Sequence, residues 1–343
     1  MRILYLSKNV NNYKSANYQK DFLDALSKIT HLFVYGPGYS HFDKNKTIKH
    51  IINKYGPFDL ILVGHFWLFD GYQKNIDPWP QSDLSNISHK KFIFLNKEYA
   101  NLEKKLKWIK KMKFDCIFSH HQNCEKWKKK TNIPFKYLPF AYDDKYFSFS
   151  NIRRKYDIAF SGALQNTRGN KVQSDIRLRI LNRFFYTLFD IPIIKRKKYS
   201  HLSIYWNSTP TTFFGYVLSK IFRKYKFLNV KNYAEIQKKT KLYINCKSPL
   251  NLISPRYFEN IASGCIVITE KNPILKKLLP KSSYAEFYND LSNFDKIITE
   301  SLKIFDSTKK NRKIAAKIIQ KNHNCNIRAK NTLKIIKTFT NDN

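Results

Sequence analysis

Acidic residues are scarce in this sequence. Its 343 residues include 25 Asp and Glu against 63 Lys and Arg, which gives a formal net charge of +38. An excess this large creates a positive field, and its natural partners are nucleic acid, a nucleotide or an anionic membrane surface. Lys, Asn and Ile are abundant while glycine contributes only nine residues, a composition typical of AT-rich genomes. We therefore interpret most of the lysines as solvated surface, and the charge does not single out nucleic acid.

Paired cysteines and long apolar runs are also missing. The five cysteines form no Cys-x-x-Cys pair, which argues against both a disulfide framework and a structural zinc site. No run of about 18 apolar residues occurs, so no helix should span a membrane. The first residues lack the apolar stretch of a signal peptide. We therefore expect a cytoplasmic protein, and peripheral contact with the inner face of a membrane stays open.

What the sequence does contain is a regular alternation of strand-like and helix-like segments. Six strands are predicted in the first half, at Arg2–Ser7, His31–Tyr35, Asp59–Val63, Lys91–Leu95, Asp115–Ser119 and Phe135–Phe140. The polar stretch Asp143–Lys155 lacks a clear period, and the alternation then restarts at the strand Tyr156–Ser161. Strands separated by helices form parallel sheets with helices on both faces. The fold class predicted is α/β, with two doubly wound domains facing a cleft, and ligands are expected at the carboxyl ends of the strands.

One segment carries most of the chemical information, Ser254–Thr269 with the sequence SPRYFENIASGCIVIT. Pro255 suits the first turn of a helix, Ser254 can cap it and Gly264 can end it. Arg256 and the first backbone N–H groups make a plausible diphosphate site, and Glu259, one turn on, can accept hydrogen bonds from ribose hydroxyls. The alternative is a capped amphipathic helix on which Arg256 and Glu259 form a surface pair.

SPRYFENIASGCIVIT resembles the donor-site segment of GT-B glycosyltransferases, most closely the CgeB or spore-maturation-protein type and the related family-4 transferases. The resemblance implies that Glu259 binds the donor ribose and that Ser254 and Arg256 approach the diphosphate. Family-4 enzymes usually carry an earlier Glu where this sequence has Asn251. An amide can bond a sugar hydroxyl but carries no charge, so retaining and inverting chemistry both stay open.

The same resemblance extends along the chain. The segment from Tyr156 to Gly162 resembles the first strand and turn of the second domain, where small residues let the backbone approach phosphate. Arg168 or Arg177 would match the basic residue that neutralises the diphosphate, although a loop cation and a helix-surface arginine are the alternatives. The implied GT-B architecture has Rossmann-like domains at residues 1–145 on the acceptor side and 156–320 for the nucleotide-sugar. A C-terminal helix, 321–343, crosses back to the first domain, and His323 and Arg328 on it are interpreted as structural.

Candidates for a general base come from residues that follow strands of the first domain. Glu98 sits roughly where related enzymes place a His or Asp against the donor sugar, and it could accept the proton of an acceptor hydroxyl. Its alternative role is a charge at a helix N-terminus. His65 and His120 are the other candidates, with packed structural histidines as the alternative; of His120 and His121, at most one should face the cleft. The long connection from Gly64 to Lys90, with Asp70 and several aromatics, could meet an acceptor or pack under itself.

The leading hypothesis is a glycosyltransferase that moves a hexose-type sugar from a nucleotide-sugar to a hydroxyl acceptor on a surface glycan, glycolipid or protein. No Asp-x-Asp motif occurs, so we expect neither a metal ion nor another cofactor. The Lys-rich amphipathic segments Leu102–Lys113 and Lys309–Lys321 could contact an anionic membrane. Two alternatives are a catalytically inactive GT-B-like binding or scaffold protein, supported by Asn251, and a less favoured nucleic-acid-binding protein, for which no recognition motif appears.

Overall fold

The computed structural model describes residues 1–11, 18–65, 67–68, 83–98, 100–122, 124–164 and 176–340. These residues form two compact units. The first comprises the described residues up to Ala141 together with the last helix, Cys325–Thr340, and the second comprises Tyr142–Asn324.

The first unit is built on a six-stranded sheet in which every strand pair is parallel. Its strands are β1 (Arg2–Leu6), β2 (His31–Tyr35), β3 (Leu60–Val63), β4 (Lys90–Leu95), β5 (Cys116–Ser119) and β6 (Phe135–Tyr137), in the spatial order β2-β1-β3-β4-β5-β6. The helices that follow the first five strands are α1 (Tyr18–Ser27), α2 (Ile48–Tyr55), α3 (Leu102–Lys111) and α4 (Glu125–Thr131), with none described between β3 and β4. All six strands predicted for this half of the chain are present.

Alternation of side chains along each strand explains why both faces of this sheet are covered. Leu4, Ile61 and Ile117 face one apolar cluster, into which α2, α3 and α4 pack. Their neighbours Ile3 and Leu62 face a second cluster, which α1 and the last helix cover. A strand whose residues alternate between two buried faces is apolar throughout, as in β3, where all four residues are buried.

The second unit repeats this plan with a five-stranded parallel sheet in the order β10-β7-β11-β12-β13. Its strands are β7 (Tyr156–Ala163), β8 (Phe185–Leu188), β9 (Ile191–Lys195), β10 (Ile204–Thr209), β11 (Thr240–Asn245), β12 (Ile266–Glu270) and β13 (Tyr284–Phe287), where β8 and β9 form a separate antiparallel hairpin. Its helices are α5 (Ile176–Phe184), α6 (Phe213–Ile221), α7 (Val230–Lys238), α8 (Pro255–Ala262), α9 (Leu275–Leu278), α10 (Phe294–Ile304) and α11 (Lys309–His323). The last helix, in the first unit, is α12. The prediction of doubly wound α/β domains is confirmed.

Two segments differ from the sequence prediction. The apolar spacing of Asp175–Leu188 predicts a helix over that range, but α5 ends at Phe184 and the chain turns into the hairpin β8–β9. Phe189 and Asp190 both have positive φ at the tip, a backbone geometry that matches the twist of a two-residue hairpin turn. Helical patterns fill Thr308–Thr340, and the C-terminal helix was expected from residue 321. Asn324 adopts an extended conformation, so α11 ends at His323 and α12 begins at Cys325.

Candidate functional site

The carboxyl edge of the second sheet carries a cluster of charged and polar side chains around α8. This helix begins with Pro255 at its first position, directly after Ser254, which has the extended backbone of a cap residue. The Ser254 hydroxyl makes no capping hydrogen bond, so it does not serve the helix in the way the sequence suggested. The first turn of α8 lies at the ends of β11 and β12, because the Tyr257 hydroxyl is 3.2 Å from the carbonyl oxygen of Asn245 and 2.7 Å from Oγ1 of Thr269.

Arg256 packs its guanidinium against the backbone at Gly162, near the end of β7. A Cβ placed on Gly162 would lie 3.0 Å from Nη1 of Arg256, and the φ of Gly162 is +146°. Glycine is therefore favoured there, because the φ is positive and because a Cβ would press against the guanidinium. The Nε of Arg256 donates to the hydroxyl of Tyr233 on α7 at 3.0 Å. Arg256 therefore connects β7, α7 and α8. The contact with Tyr233 was not predicted from the sequence.

Glu259 lies one turn into α8 and is only 6% exposed. Burial raises the pKa of its carboxyl to about 7, and Arg256, Tyr233 and Gln237 act in the opposite direction by favouring the charged form. A solvated surface pair between Arg256 and Glu259 is therefore wrong as a description of this helix. The carboxylate is instead held among polar groups in a site from which water is largely excluded.

A second buried carboxylate, Glu270, ends β12 at the same edge. Its Oε2 accepts a hydrogen bond from the backbone N–H of Lys247 at 2.9 Å. Burial raises the pKa of Glu270, and Lys247 and Arg177 oppose that rise. Arg177, in the first turn of α5, donates through Nη1 to the carbonyl of Ala163 at 2.8 Å. Glu270 was not predicted, although a charged residue at the end of an apolar strand was the signal that could have identified it.

The two remaining donor-side predictions are less informative. Asn251 is exposed and has a left-handed backbone with φ +60°, as does Leu250 before it. The carbonyl of Asn251 accepts a hydrogen bond from Nδ2 of Asn272 at 3.2 Å. Asn is one of the few residues that adopt this conformation at little cost, which gives the position a backbone role. Arg168 lies outside the described residues.

In the first unit, the structure brings His65, Glu98 and His120 together at the carboxyl ends of β3, β4 and β5. The Nε2 atoms of His65 and His120 are 3.1 Å apart, and the two rings are parallel. Oε1 of Glu98 accepts hydrogen bonds from Oγ of Ser119 at 2.8 Å and from the backbone N–H of His120 at 3.1 Å. All three predicted side chains are buried. Whether any of them touches a substrate stays a prediction.

The hydrogen bonds fix the tautomers of the two imidazoles. Nδ1 of His120 lies 2.7 Å from the carbonyl of Leu138, so Nδ1 carries the proton and Nε2 accepts. His65 must then donate from Nε2, which leaves its Nδ1 as an unprotonated acceptor. Within the described residues, that Nδ1 is buried and has no hydrogen-bond partner. Burial is the main cause that lowers the pKa of His120 to about 3 and the pKa of His65 well below its usual value, so both rings are neutral at pH 7.

Other candidates of the sequence analysis have structural surroundings. Trp67, one of the aromatics in the long connection after Gly64, is buried in the core of the first unit, whereas Asp70 in the same connection lies outside the described residues. The ring of His323 stacks on Phe258 with 4.3 Å between centroids. Arg328 donates to the carbonyl of Phe140 at 3.3 Å.

The family comparison points to one part of the chain. Residues 196–334 match a family model described as glycosyl transferase-like. The match covers less than half of the chain and includes α8 with its flanking strands. No curated protein sequence matches the chain.

Solved structures give the fold of the whole chain. Sucrose-phosphate synthase from Thermosynechococcus elongatus is similar with a TM-score of 0.65 at 11% identity, covering 100% of both chains. A glycosyltransferase from Rickettsia africae gives 0.63 at 12% identity, covering 100% of this chain and 99% of its own. Anabaena HepE in complex with UDP-glucose gives 0.59 at 10% identity, covering 98% and 100%. At these identities the likeness shows the fold, which is that of GT-B glycosyltransferases.

The length and apolar composition of the helices decide whether any of them could cross a membrane. In the described part of the chain, none of them combines the length and the apolar composition that crossing a bilayer requires.

Proposed function

We propose that this protein is a glycosyltransferase that binds a nucleotide-sugar at the carboxyl edge of its second sheet and transfers a hexose-type sugar to a hydroxyl acceptor. The observation that carries the proposal is the placement of Arg256 against Gly162, with buried Glu259 one helical turn further on. The glycosyl transferase-like match over residues 196–334 and the UDP-glucose complex of HepE support a donor of this class.

Each donor-side group has a role that follows from its chemistry. Arg256 and the first N–H groups of α8 offer hydrogen bonds and positive charge to a diphosphate. Arg177 adds a second cation at the end of β7. Glu259 accepts hydrogen bonds from ribose hydroxyls, which would favour its charged form. Positive charge near the departing nucleotide stabilises the charge that develops as the glycosidic bond breaks, and we propose that these cations act without a metal ion.

Two atoms in the first unit are candidates to receive the acceptor's proton. Nδ1 of His65 is an unprotonated nitrogen, and Oε2 of Glu98 is a carboxyl oxygen; within the described residues neither has a hydrogen-bond partner. Burial raises the pKa of Glu98, which makes its carboxylate a stronger base than a solvated one. Burial lowers the pKa of His65, which makes its imidazole the weaker base, so Glu98 is the favoured proton acceptor for an inverting reaction.

A second candidate function is a catalytically inactive sugar-nucleotide binder. It is favoured by Asn251, which stands in place of the expected Glu and is exposed with a left-handed backbone. Such a protein would bind the donor but release no nucleotide in the presence of acceptors.

Thermal unfolding in the presence of nucleoside diphosphates and their sugar conjugates tests the proposal. A ligand that binds only the native state raises the melting temperature, with about 2.7 kcal/mol of stabilisation at a hundredfold excess over the dissociation constant. We expect one nucleotide family to shift the wild type, and Glu259→Gln to lose most of that shift. Glu300→Gln is the matched control, because Glu300 is an exposed glutamate on α10.

The outcomes separate the alternatives. No shift with any nucleotide at millimolar concentration would refute the donor site altogether. A shift that survives Glu259→Gln would remove the ribose role of this residue and keep the activity open. A shift followed by sugar transfer that persists in a chelator supports the metal-independent enzyme, whereas binding without turnover supports the inactive binder.

A further inference from the structure

Helix α6 exposes its large apolar side chains to solvent and buries its small residues against the protein. Its two buried residues are Gly215 and Ser219, whereas Phe213 is 78% exposed and Ile221 is 65% exposed. At about 100° per residue, Phe213, Phe214 and Ile221 fall on one face of the helix, opposite the two small residues. The described chain therefore leaves an apolar helix face uncovered.

The hairpin β8–β9 extends this apolar surface. Phe189 at its tip contacts Phe214 edge-to-face, with 4.9 Å between ring centroids. A Cβ on Gly215 would come within 2.4 Å of the Phe189 carbonyl, so helix and hairpin tip are packed directly together. Leu188 and Ile194 on the hairpin are both at least half exposed. Several large apolar side chains exposed next to one another mark an interaction site.

The same surface is strongly cationic. Between residues 185 and 228 the chain has eight Lys and Arg and a single acid, Asp190. Residues 195–198 are four consecutive cations that begin at the last residue of β9, and one of them, Lys198, forms an ion pair with Asp295. Four further cations, Lys220, Arg223, Lys224 and Lys226, surround the end of α6 in exposed positions. The one acid is engaged, because its Oδ2 accepts a hydrogen bond from Oγ1 of Thr211. Two copies of this face would bring like charges together, so a self-association surface is disfavoured.

We propose that α6 and the hairpin β8–β9 form a docking face for an anionic lipid bilayer. A helix with aromatic and aliphatic side chains on one side and cations at its flank lies in the interface of such a bilayer, where each feature meets its own chemistry. This face differs from the segments that the sequence favoured: α3 buries Leu106 and Ile109 in the core of the first unit and cannot offer them to lipid.

The docking face adjoins the donor edge of the same sheet. Ser208 and Thr209 pair with Gly162 and Ala163, so β10 ends beside β7, and α6 begins four residues later. A bilayer bound by α6 would lie next to that edge of the second unit. The docking proposal itself does not depend on the proposed sugar transfer, since lipid binding is measured without nucleotide.

Cosedimentation with phosphatidylcholine vesicles, with and without phosphatidylglycerol, tests the docking face. We expect the wild type to bind the anionic vesicles, and less so at high salt. Phe213→Ser with Ile221→Ser should lower the partition coefficient at least about tenfold, because two apolar groups are lost from the bilayer interface. Ile29→Ser with Ile152→Ser is the matched control, since both isoleucines are exposed and lie outside the docking face and outside the two Lys-rich segments.

Three results would overturn the proposal. The first is a wild type that binds neither vesicle, and the second is binding that both double variants retain equally. The third is a concentration-dependent dimer in analytical ultracentrifugation that only the α6 variant abolishes. Because Phe213 and Ile221 are exposed, the α6 variant should keep the wild-type melting temperature, so loss of lipid binding cannot be mistaken for unfolding. A nucleotide shift that persists in this variant separates the docking face from the donor site.

Discussion

The carboxyl edges of the two sheets hold different kinds of buried polar group. At the first, His65 and His120 are neutral imidazoles bonded to each other. At the second, Arg256 faces the buried carboxyl of Glu259. Neutral imidazoles with an unprotonated nitrogen suit proton transfer. A buried arginine and a buried carboxyl of opposite charge suit the binding of a polar, charged ligand. The two edges should therefore respond to pH in opposite directions. Two substitutions test this contrast, and a third tests the backbone geometry of the second edge.

The largest expected effect belongs to Glu259. Its pKa is about 7 in the folded protein and about 4.5 without structure, so between these values the folded state binds more protons than the unfolded state. The free energy of unfolding then falls as pH rises through this window, by up to about 3 kcal/mol. Glu259→Gln should abolish that fall and be more stable than the wild type at pH 8. Urea unfolding at pH 5 and pH 8 measures the difference.

The control for this prediction is Glu300→Gln, which replaces an exposed glutamate and should follow the wild-type pH dependence. An unchanged pH dependence in Glu259→Gln would contradict the burial of this carboxyl. Greater stability joined to weaker nucleotide binding would show that the charge is retained for a ligand at the expense of the fold.

The opposite slope is expected in the first unit, from His120. Its pKa is about 3 in the folded protein, against about 6.5 for a solvated imidazole, so the unfolded state binds more protons as the pH falls below 6.5. Stability is therefore lost on acidification, with about 2 kcal/mol lost at pH 5 from this ring alone. His120→Asn keeps a donor towards the Leu138 carbonyl but has no titratable group. Its loss of stability between pH 7 and pH 5 should be smaller than that of the wild type by this amount.

His50→Asn, on the surface of α2, is the comparison variant for the imidazole. If His120→Asn and the wild type lose the same free energy on acidification, the ring is protonated without penalty and is not the buried neutral group described above.

The sequence predicted the two parallel sheets because most of their strands are apolar runs and most of the helices have a polar face, and both patterns are local. It also located Arg256 and Glu259, since Pro255 and Gly264 fix the ends of a short helix around them. Tyr233 and Glu270 escaped prediction because they come to the site only through the parallel order of β7, β11 and β12.

The exposed face of α6 was not predicted for a related reason. A pattern of apolar residues indicates that one helix face is covered, but it does not say by what. In α3 the apolar face meets the sheet, whereas in α6 the small residues Gly215 and Ser219 meet the protein and the large ones face outward. Each helix contains apolar residues at helical spacing, and only tertiary packing shows which of its faces the protein covers.

The smallest expected effect belongs to Gly162, where the second edge depends on backbone geometry. An Ala there would place its Cβ 3.0 Å from Nη1 of Arg256 and would have to adopt a φ of +146°. The guanidinium is the far end of a flexible side chain and can shift, so Gly162→Ala should fold with a loss of about 1 to 2 kcal/mol from backbone strain. The displaced Arg256 should weaken nucleotide binding about tenfold. Calorimetric titration with the nucleotide that stabilises the wild type in thermal unfolding measures this change.

Gly38→Ala is the matched control, because Gly38 also has positive φ, +86°, but lies in the first unit against Asn9. If both variants lose comparable stability but only Gly162→Ala binds nucleotide more weakly, Arg256 contacts the ligand. If both variants bind nucleotide equally well, Arg256 is a purely structural link between β7, α7 and α8.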